Sequence, residues 1–301
     1  MTQQKNARIA VIGGMNMDIC GRPEGALRLR DSEPGRIRLS PGGVGRNIAH
    51  DLRLLGADVS LVSAVGDDPF GVALLESCRA LGLDVSMTLV RPRERSSTYL
   101  YVTDESGDML VAINDMAITD RVSPAALEPL LPRLNGFDAL VLDTDLSGAA
   151  LGFLAERAAV PLYADPVSAA KAPRLRPILP RLRALKPNRL EAEALTGERD
   201  PERAARALLA AGAERVFLSL GEEGMLAAEG ERMLRLPRTE TEVLDTTGAG
   251  DAATAALVWA DLRGRDLESC ARAALLAGAV TCACPGANEP RLGELLAPLG
   301  L

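Results

Sequence analysis

Arg8–Ile12 (RIAVI) is a short apolar run, rich in β-branched residues, that stops at Gly13-Gly14. This pattern predicts a buried strand. Residues 43–56 place Ile48, Leu52 and Leu55 at helical spacing before Gly56, so a helix follows. A strand over 59–65 and a helix over 70–81 continue the alternation. The pattern then changes. Residues 85–113 alternate as sheet, and TYLYVT-DESG-DMLVAI reads as a hairpin. From residue 123 the earlier rhythm returns. Apolar strands are predicted over 139–144, 160–166, 182–188 and 215–221, with helical segments between them. Two long Ala-rich helices over 249–263 and 267–283 close the chain.

Strands that alternate with helices imply a parallel sheet covered on both faces, an α/β fold. The stretches of about 18–39 and 85–115 break that rhythm and read as a small β appendage on a single domain spanning 1–301. Residues 170–183, rich in Pro and Arg, read as a solvated crossing with a short helix. Ligands of open α/β sheets bind beyond the carboxyl ends of the strands. The residues there are Asn16, Asp18, Asp143, Asp145, Asp165, Lys186, Asn188 and Gly221.

Composition narrows the chemistry. Among 301 residues there is one histidine, His50, and only Lys5, Lys171 and Lys186 among 34 basic residues are lysines. One histidine cannot build a multi-His zinc centre. A formal charge of −7 with 3% aromatics argues against a nucleic-acid partner. No apolar run approaches the ~18 residues that cross a bilayer. The N-terminus reads as the lead into the first strand rather than a signal peptide. Five scattered cysteines fit reduced thiols, so a cytoplasmic protein is expected. Acid–base chemistry falls to a carboxylate. His50 reads as a helix-surface or partly packed residue.

The richest segment is Asp245-Thr246-Thr247-Gly248-Ala249-Gly250-Asp251, followed by AATAALVWADL. A Gly-rich turn opening a helix offers unpaired N–H groups and the positive end of the helix dipole. Backbone N–H groups of Gly248, Ala249 and Gly250 would meet the charge of a transferring phosphoryl group, and Asp251 would be the base. It is neither a Walker A loop nor a dinucleotide fingerprint. Three weaker clusters accompany it. Pro41–Asn47 (PGGVGRN) opens a helix. Lys186–Glu191 (KPNRLE) contains a capping box, Asn188 with Glu191. Ser219–Gly224 (SLGEEG) is a turn after a strand.

In this order, N-x-D at 16–18, G-G-x-x-x-N at 42–47, K-P-N-x-x-E at 186–191, S-x-G-x-x-G at 219–224 and D-T-T-G-A-G-D at 245–251 resemble the ribokinase-like (PfkB) carbohydrate and nucleoside kinases. The resemblance covers essentially the whole chain. It implies a central, mostly parallel sheet with a β lid and ATP-dependent phosphorylation of a ribose hydroxymethyl. It further implies that Asp251 is the base, with Gly248, Ala249 and Gly250 as the anion hole. Asn16, Asp18, Gly42, Gly43 and Asn47 would hold ribose, and Thr98 and Asn114 would face a base. Lys186, Asn188, Ser219, Gly221, Gly224 and Asn288 would lie along ATP. Glu191 would hold Mg²⁺ through water, and Asp245 and Thr247 would hold a monovalent cation such as K⁺. A homodimer joined through the lid is implied as well. Within that family, the likeness of segments 41–49, 109–116, 164–171 and 185–193 implies pseudouridine as the substrate, phosphorylated on its 5′-hydroxyl. Ribose, a ketose or an ordinary nucleoside is the alternative. A non-catalytic sensor on the same fold is disfavoured by the pair Asp245 and Asp251.

Overall fold

The computed structural model describes residues 6–28 and 30–297. Residues 1–5 of the N-terminal lead and Leu29 of the expected appendage lie outside the described residues. The strands, in chain order, begin with β1 (Arg8–Ile12), β2 (Asn16–Pro23), β3 (Gly35–Gly42), β4 (Asp58–Val62) and β5 (Ala64–Gly66). They continue with β6 (Leu89–Arg91), β7 (Thr98–Thr103), β8 (Met109–Asp115), β9 (Ala139–Asp143) and β10 (Leu162–Asp165). The last are β11 (Leu182–Leu185), β12 (Arg215–Ser219), β13 (Met225–Glu229) and β14 (Arg232–Leu236). Helices of eight residues or more are α1 (Val44–Leu54), α2 (Pro69–Ala80), α3 (Gly148–Arg157), α4 (Arg189–Thr196), α5 (Pro201–Ala210), α6 (Ala249–Asp261) and α7 (Leu267–Cys282).

The main sheet runs β14-β13-β12-β11-β10-β9-β1-β4. It is parallel from β4 to β12, and β13 and β14 add antiparallel. Strand alternation splits the core in two. Ile9 and Val11 of β1 enter one apolar cluster with α1, α6 and α7, while Ala10 and Ile12 enter the other. No helix among the described residues is long and apolar enough to cross a membrane.

The expected appendage is a separate sheet in the order β3-β2-β7-β8. Its extent differs from the sequence expectation. It starts at Asn16 and ends at Gly42, and its second half starts only at Thr98. Residues 85–97 do not join it, because Leu89–Arg91 pair with β5 beside the main sheet. The predicted strand over 59–65 accordingly breaks in two: β4 stays in the main sheet and β5 takes β6 as partner. The Arg/Pro segment is also different. Ala172–Arg181 is a 3₁₀ helix whose Leu175, Ile178 and Leu179 are buried. Its arginines donate to backbone carbonyls: Arg174 to Thr144 and Leu146, Arg176 to Leu195, and Arg181 to Ala155 and Ala158. These are carbonyls that helix and strand ends leave open.

Helix α6 carries Asp251 in its first turn, and its last residue is clamped to the sheet. Asp261 accepts from Arg183 at 2.9 Å through both oxygens, from Arg215 at 2.5 Å and from the Tyr163 hydroxyl at 2.5 Å. These partners come from β10, β11 and β12. Asp261→Ala would leave Arg215, 8% exposed, with only the partly exposed Glu229 as ion-pair partner, and would strip the Tyr163 hydroxyl and Arg183 of their buried acceptor. We expect a stability loss of about 3–5 kcal/mol in urea unfolding. A loss below about 1 kcal/mol would mean the clamp does not hold the helix.

Candidate active site

Five of the seven helices start with a side-chain cap. Asp68, Ser147, Asn188, Asp200 and Asp266 each accept a first-turn N–H. The two without one are α1 and α6, which start after Gly43 and Gly248. Both helices open at the carboxyl edge of the main sheet. First-turn N–H groups of both are left to meet an anion, apart from the Arg46 N–H, which donates to the Gly14 carbonyl at 3.0 Å. Glycine is demanded at both starts. Gly43 has φ 101°, and a Cβ there would lie 2.7 Å from the Gly14 carbonyl. Gly248 has φ 79°, and a Cβ would lie 2.0 Å from the Ala287 carbonyl. The Ala249 N–H is partly engaged by the Thr246 carbonyl at 3.3 Å, so the hole is narrower than expected.

The two helix starts are joined side chain to side chain. The Asn47 amide on α1 donates to Asp251 Oδ2 at 2.9 Å. Burial pushes the Asp251 carboxyl up, and Asp165 adds to this, with Asn47 and Lys186 opposing, so it titrates at about 7. That is a useful value for a general base near neutrality. Lys186 lies beneath Gly250, where an added Cβ would come within 3.1 Å of its ammonium. It pairs with Asp165 at 3.3 Å, and Asp165 also accepts from Thr254 on α6 at 2.7 Å. Burial alone would lower the Lys186 pKa, but Asp165, Glu191 and Asp251 outweigh it and hold it high. Asp145 pairs with Lys171, so two of the three lysines serve the carboxylates of this edge.

Sugar-side residues gather as expected. The Asn16 amide donates to Asp18 Oδ1 at 2.6 Å, and Gly42 sits opposite Asn16 in the β2–β3 ladder. Burial raises the Asp18 carboxyl, with Asn16 and Arg46 opposing. Across the lid, Ser40, Asp18, Tyr99 and Asn114 stand in register on neighbouring strands. Side chains in one such row share a face. Thr98 does not join them. It is paired with Met17 and Asp115, one residue out of register, and therefore lies on the other face. Tyr99 takes the place expected for Thr98. The ring centroids of Tyr99 and Tyr101 are 5.5 Å apart on that face, an aromatic surface the sequence reading did not single out. Asp115 is tied to Arg95 at 2.9 Å.

A groove of about 650 Å³ runs from the anion hole along α6 and α7. Lys186, Asn188, Ser219, Gly221 and Gly224 all line it, as the sequence motifs imply, together with Ala249 and Gly250. Its apolar wall, Ala253, Ala274, Leu275, Gly278 and Ala279, was not foreseen, because small helical residues carry no motif. Asn188 and Glu191 form the capping box, with reciprocal bonds of 2.9 and 2.8 Å. Burial and the nearby Asp165 push the Glu191 carboxyl up, against Lys186.

Asn288 is placed differently, Asp245 is already engaged, and His50 is partly packed as expected. Asn288 does not line the groove. Its amide reaches back under α1, donating to Asp51 at 2.9 Å and to the Asn47 carbonyl at 3.2 Å. Asp245 accepts the N–H groups of Thr247 at 2.9 Å and Gly286 at 3.4 Å. The monovalent cation expected there meets an Asp245 already engaged with two backbone donors, and Thr247 contributes its N–H. His50 is half-buried, and burial lowers its pKa, which keeps it neutral.

A pfkB family carbohydrate kinase model matches residues 6–292. The chain belongs to the PfkB family of carbohydrate kinases. It is 38% identical to the pseudouridine kinase of Escherichia coli over 94% of this chain and 93% of that protein. A solved carbohydrate kinase from Agrobacterium tumefaciens superposes with a TM-score of 0.87 at 29% identity, covering 98% of this chain and 97% of that one. A putative ribokinase II from E. coli, solved with ATP and Mg²⁺, matches at TM-score 0.84 and 20% identity, over 97% and 98% of the two chains, a likeness of fold. The ribokinase-like α/β fold and the kinase class follow.

Because the Gly248 start is fixed by contact with Ala287, Gly248→Ala is expected to misplace Asp251 and lower kinase turnover about 10²-fold. A coupled ADP assay with urea unfolding of the same variant checks this. Turnover within about threefold of wild type would contradict the role given to Gly248.

Proposed function

We propose that this kinase phosphorylates the 5′-hydroxyl of pseudouridine from ATP, with Asp251 as the base. The observation that carries the catalytic part is the Asp251 carboxylate, bonded to Asn47, at the mouth of an uncapped helix and beside the groove. Asp251 accepts the hydroxyl proton as that oxygen bonds to the γ-phosphorus. The bond from phosphorus to its bridging oxygen breaks, and the electron pair leaves with ADP. The α6 N–H groups and Lys186 face the charge that develops. Asn16, Asp18 and Asn47 hold the ribose hydroxyls, and Gly221 and Gly224 turn the chain around the nucleotide.

Mg²⁺ fits the donor set. Burial, and then the nearby Asp165, hold Glu191 above its ordinary pKa, and a divalent cation relieves the crowding of the two carboxylates. Asp165, and Glu191 through water, would hold it, and it would supply charge neutralisation on the phosphates.

A nucleoside is favoured over a free sugar by the lid row. Tyr99 and Tyr101 offer a planar apolar surface beside Asp18, and Asn114 offers an acceptor to a base N–H. The E. coli relative, named for pseudouridine, supports the same choice. The alternatives are ribose, a ketose or an ordinary nucleoside: a free sugar needs only Asn16 and Asp18, whereas an ordinary nucleoside would use the same aromatic surface. In a coupled ADP assay we expect pseudouridine to be turned over fastest in a panel with ribose, fructose and adenosine. Ribose or adenosine being faster would overturn the substrate. Asp251→Asn should lower the rate about 10²–10⁴-fold with binding kept, and an unchanged rate would overturn the base.

The outer face of the lid supports a homodimer. Ile37, Leu39, Leu100, Val111 and Ile113 share the face opposite Asp18, with Ile37 78% and Ile113 68% exposed. An exposed apolar sheet face of this kind suits a second copy of the chain. Light scattering should give twice the chain mass for wild type and a monomer for Ile37→Glu/Ile113→Glu. A monomeric wild type would contradict it.

A further inference from the structure

Arg46 stands in the first turn of α1, next to Asn47, and is only 7% exposed. Its guanidinium Nη1 donates to Asn47 Oδ1 at 3.2 Å and to Asn288 Oδ1 at 3.2 Å. Asn288 in turn donates to Asp51, which is fully buried, and to the Asn47 carbonyl. Arg46 Nη2 donates to Ser77 Oγ at 3.4 Å, and Asp51 and Asp18 lie near enough to favour the charge. Burying the cation is still costly, and an apolar residue would fill the space more cheaply. The guanidinium has a property no apolar residue has: it carries only donors. Facing it, Asn47 must present its oxygen. The NH₂ of the same amide is then turned the other way, to the Asp251 carboxylate, which only accepts. Asn288 is oriented by the same cation. Its loop is also tied to the anion-hole turn, through Asp245 to Gly286 and through the packing of Gly248 on Ala287.

We propose that Arg46 is a positioning residue: it fixes the amide orientation of Asn47 and so keeps an N–H donor on Asp251, leaving the other carboxylate oxygen for the substrate hydroxyl. The inference rests on the reading of Asp251 as base. Arg46 touches neither the groove nor Asp251 itself. The charged groups around Asp251 are Asp145 and Asp165 from the strand ends, Lys186 after β11, and Asp51 on α1. None of them bonds the Asn47 side chain in place of Arg46.

The test compares kcat/KM from pH 5 to 9 for wild type, Arg46→Met, Arg46→Gln and Arg46→Lys, with the fastest substrate of the panel above. Gln donates and accepts, so Asn47 is free to flip. Lys still only donates. In Arg46→Met and Arg46→Gln we expect kcat to fall about tenfold, the KM for ATP to stay within about twofold, and the acid limb to move up by about half a pH unit. Arg46→Lys should return the limb toward wild type. Urea unfolding checks folding. Gln is shorter than Arg but keeps a polar head that can still bond Asn47 and Asn288, so it carries the test where Met does not fold. An unmoved limb with kcat within twofold in Arg46→Gln overturns the proposal, as does a limb in Arg46→Lys displaced as far as in Arg46→Gln. Asp251→Asn separates the two claims. If it keeps its activity, the base reading fails. If it loses activity while the Arg46 variants match wild type, only the positioning role fails.

Discussion

A single hydrogen bond, Asn47 to Asp251 at 2.9 Å, joins the two helix starts on which the site depends. Each start lacks the side-chain cap that the other five long helices have, and each turns on a glycine that a Cβ would push out of place. Without that bond, Asp251 would sit among Asp165 and Asp145 with Lys186 as its main counterweight. Too little support and the carboxyl stays protonated, unable to take a proton. Too much and it becomes a weak base. The value near 7 reflects this balance of burial, two carboxylates, one amide and one buried lysine.

Much of the molecule is arranged to keep that balance rigid. The far end of α6 is locked by Asp261 to Tyr163, Arg183 and Arg215. Its near end is packed on the loop at Ala287 and braced by Thr254 on Asp165. Helix α1 is held from below by Arg46, Asp51 and Asn288. Asp251, the proposed base, thus sits on one regular element and is braced by Asn47 from another, which is more precise than a loop could be.

What was legible in the sequence follows from how local the chemistry is. The turn from Asp245 to Asp251 announces itself, because glycines opening a helix leave N–H groups free and two carboxylates bracket the turn. Lys186, Asn188, Ser219, Gly221 and Gly224 were readable for a similar reason: each lies at the end of a strand that the apolar pattern marks, or in the turn that follows it. The capping box at Asn188 and Glu191 was equally plain, and the structure realises it while also lining the groove with Asn188. Asn288 was misplaced because its partners, Asp51 and Asn47, lie more than 230 residues away in the chain. Arg46 was silent for the same reason, and the apolar wall of α6 and α7 because small helical residues carry no motif. Thr98 failed on parity: a shift of one residue in a strand exchanges the faces, and the register of β7 against β2 is a tertiary fact. The lid boundary failed because residues 85–97 alternate like lid strands yet find β5 as their nearest partner.

The most direct test of the account is the pH dependence of kcat/KM for the wild-type kinase. The Asp251 pKa is raised in the folded protein, so the base is ionised above about pH 7 and lost as the pH falls through it. The account predicts an acid limb with its midpoint near 7, falling about tenfold per pH unit below it, and absent from the residual rate of Asp251→Asn. A rate that stays flat down to pH 5, where an ordinary aspartate would still be ionised, would contradict it.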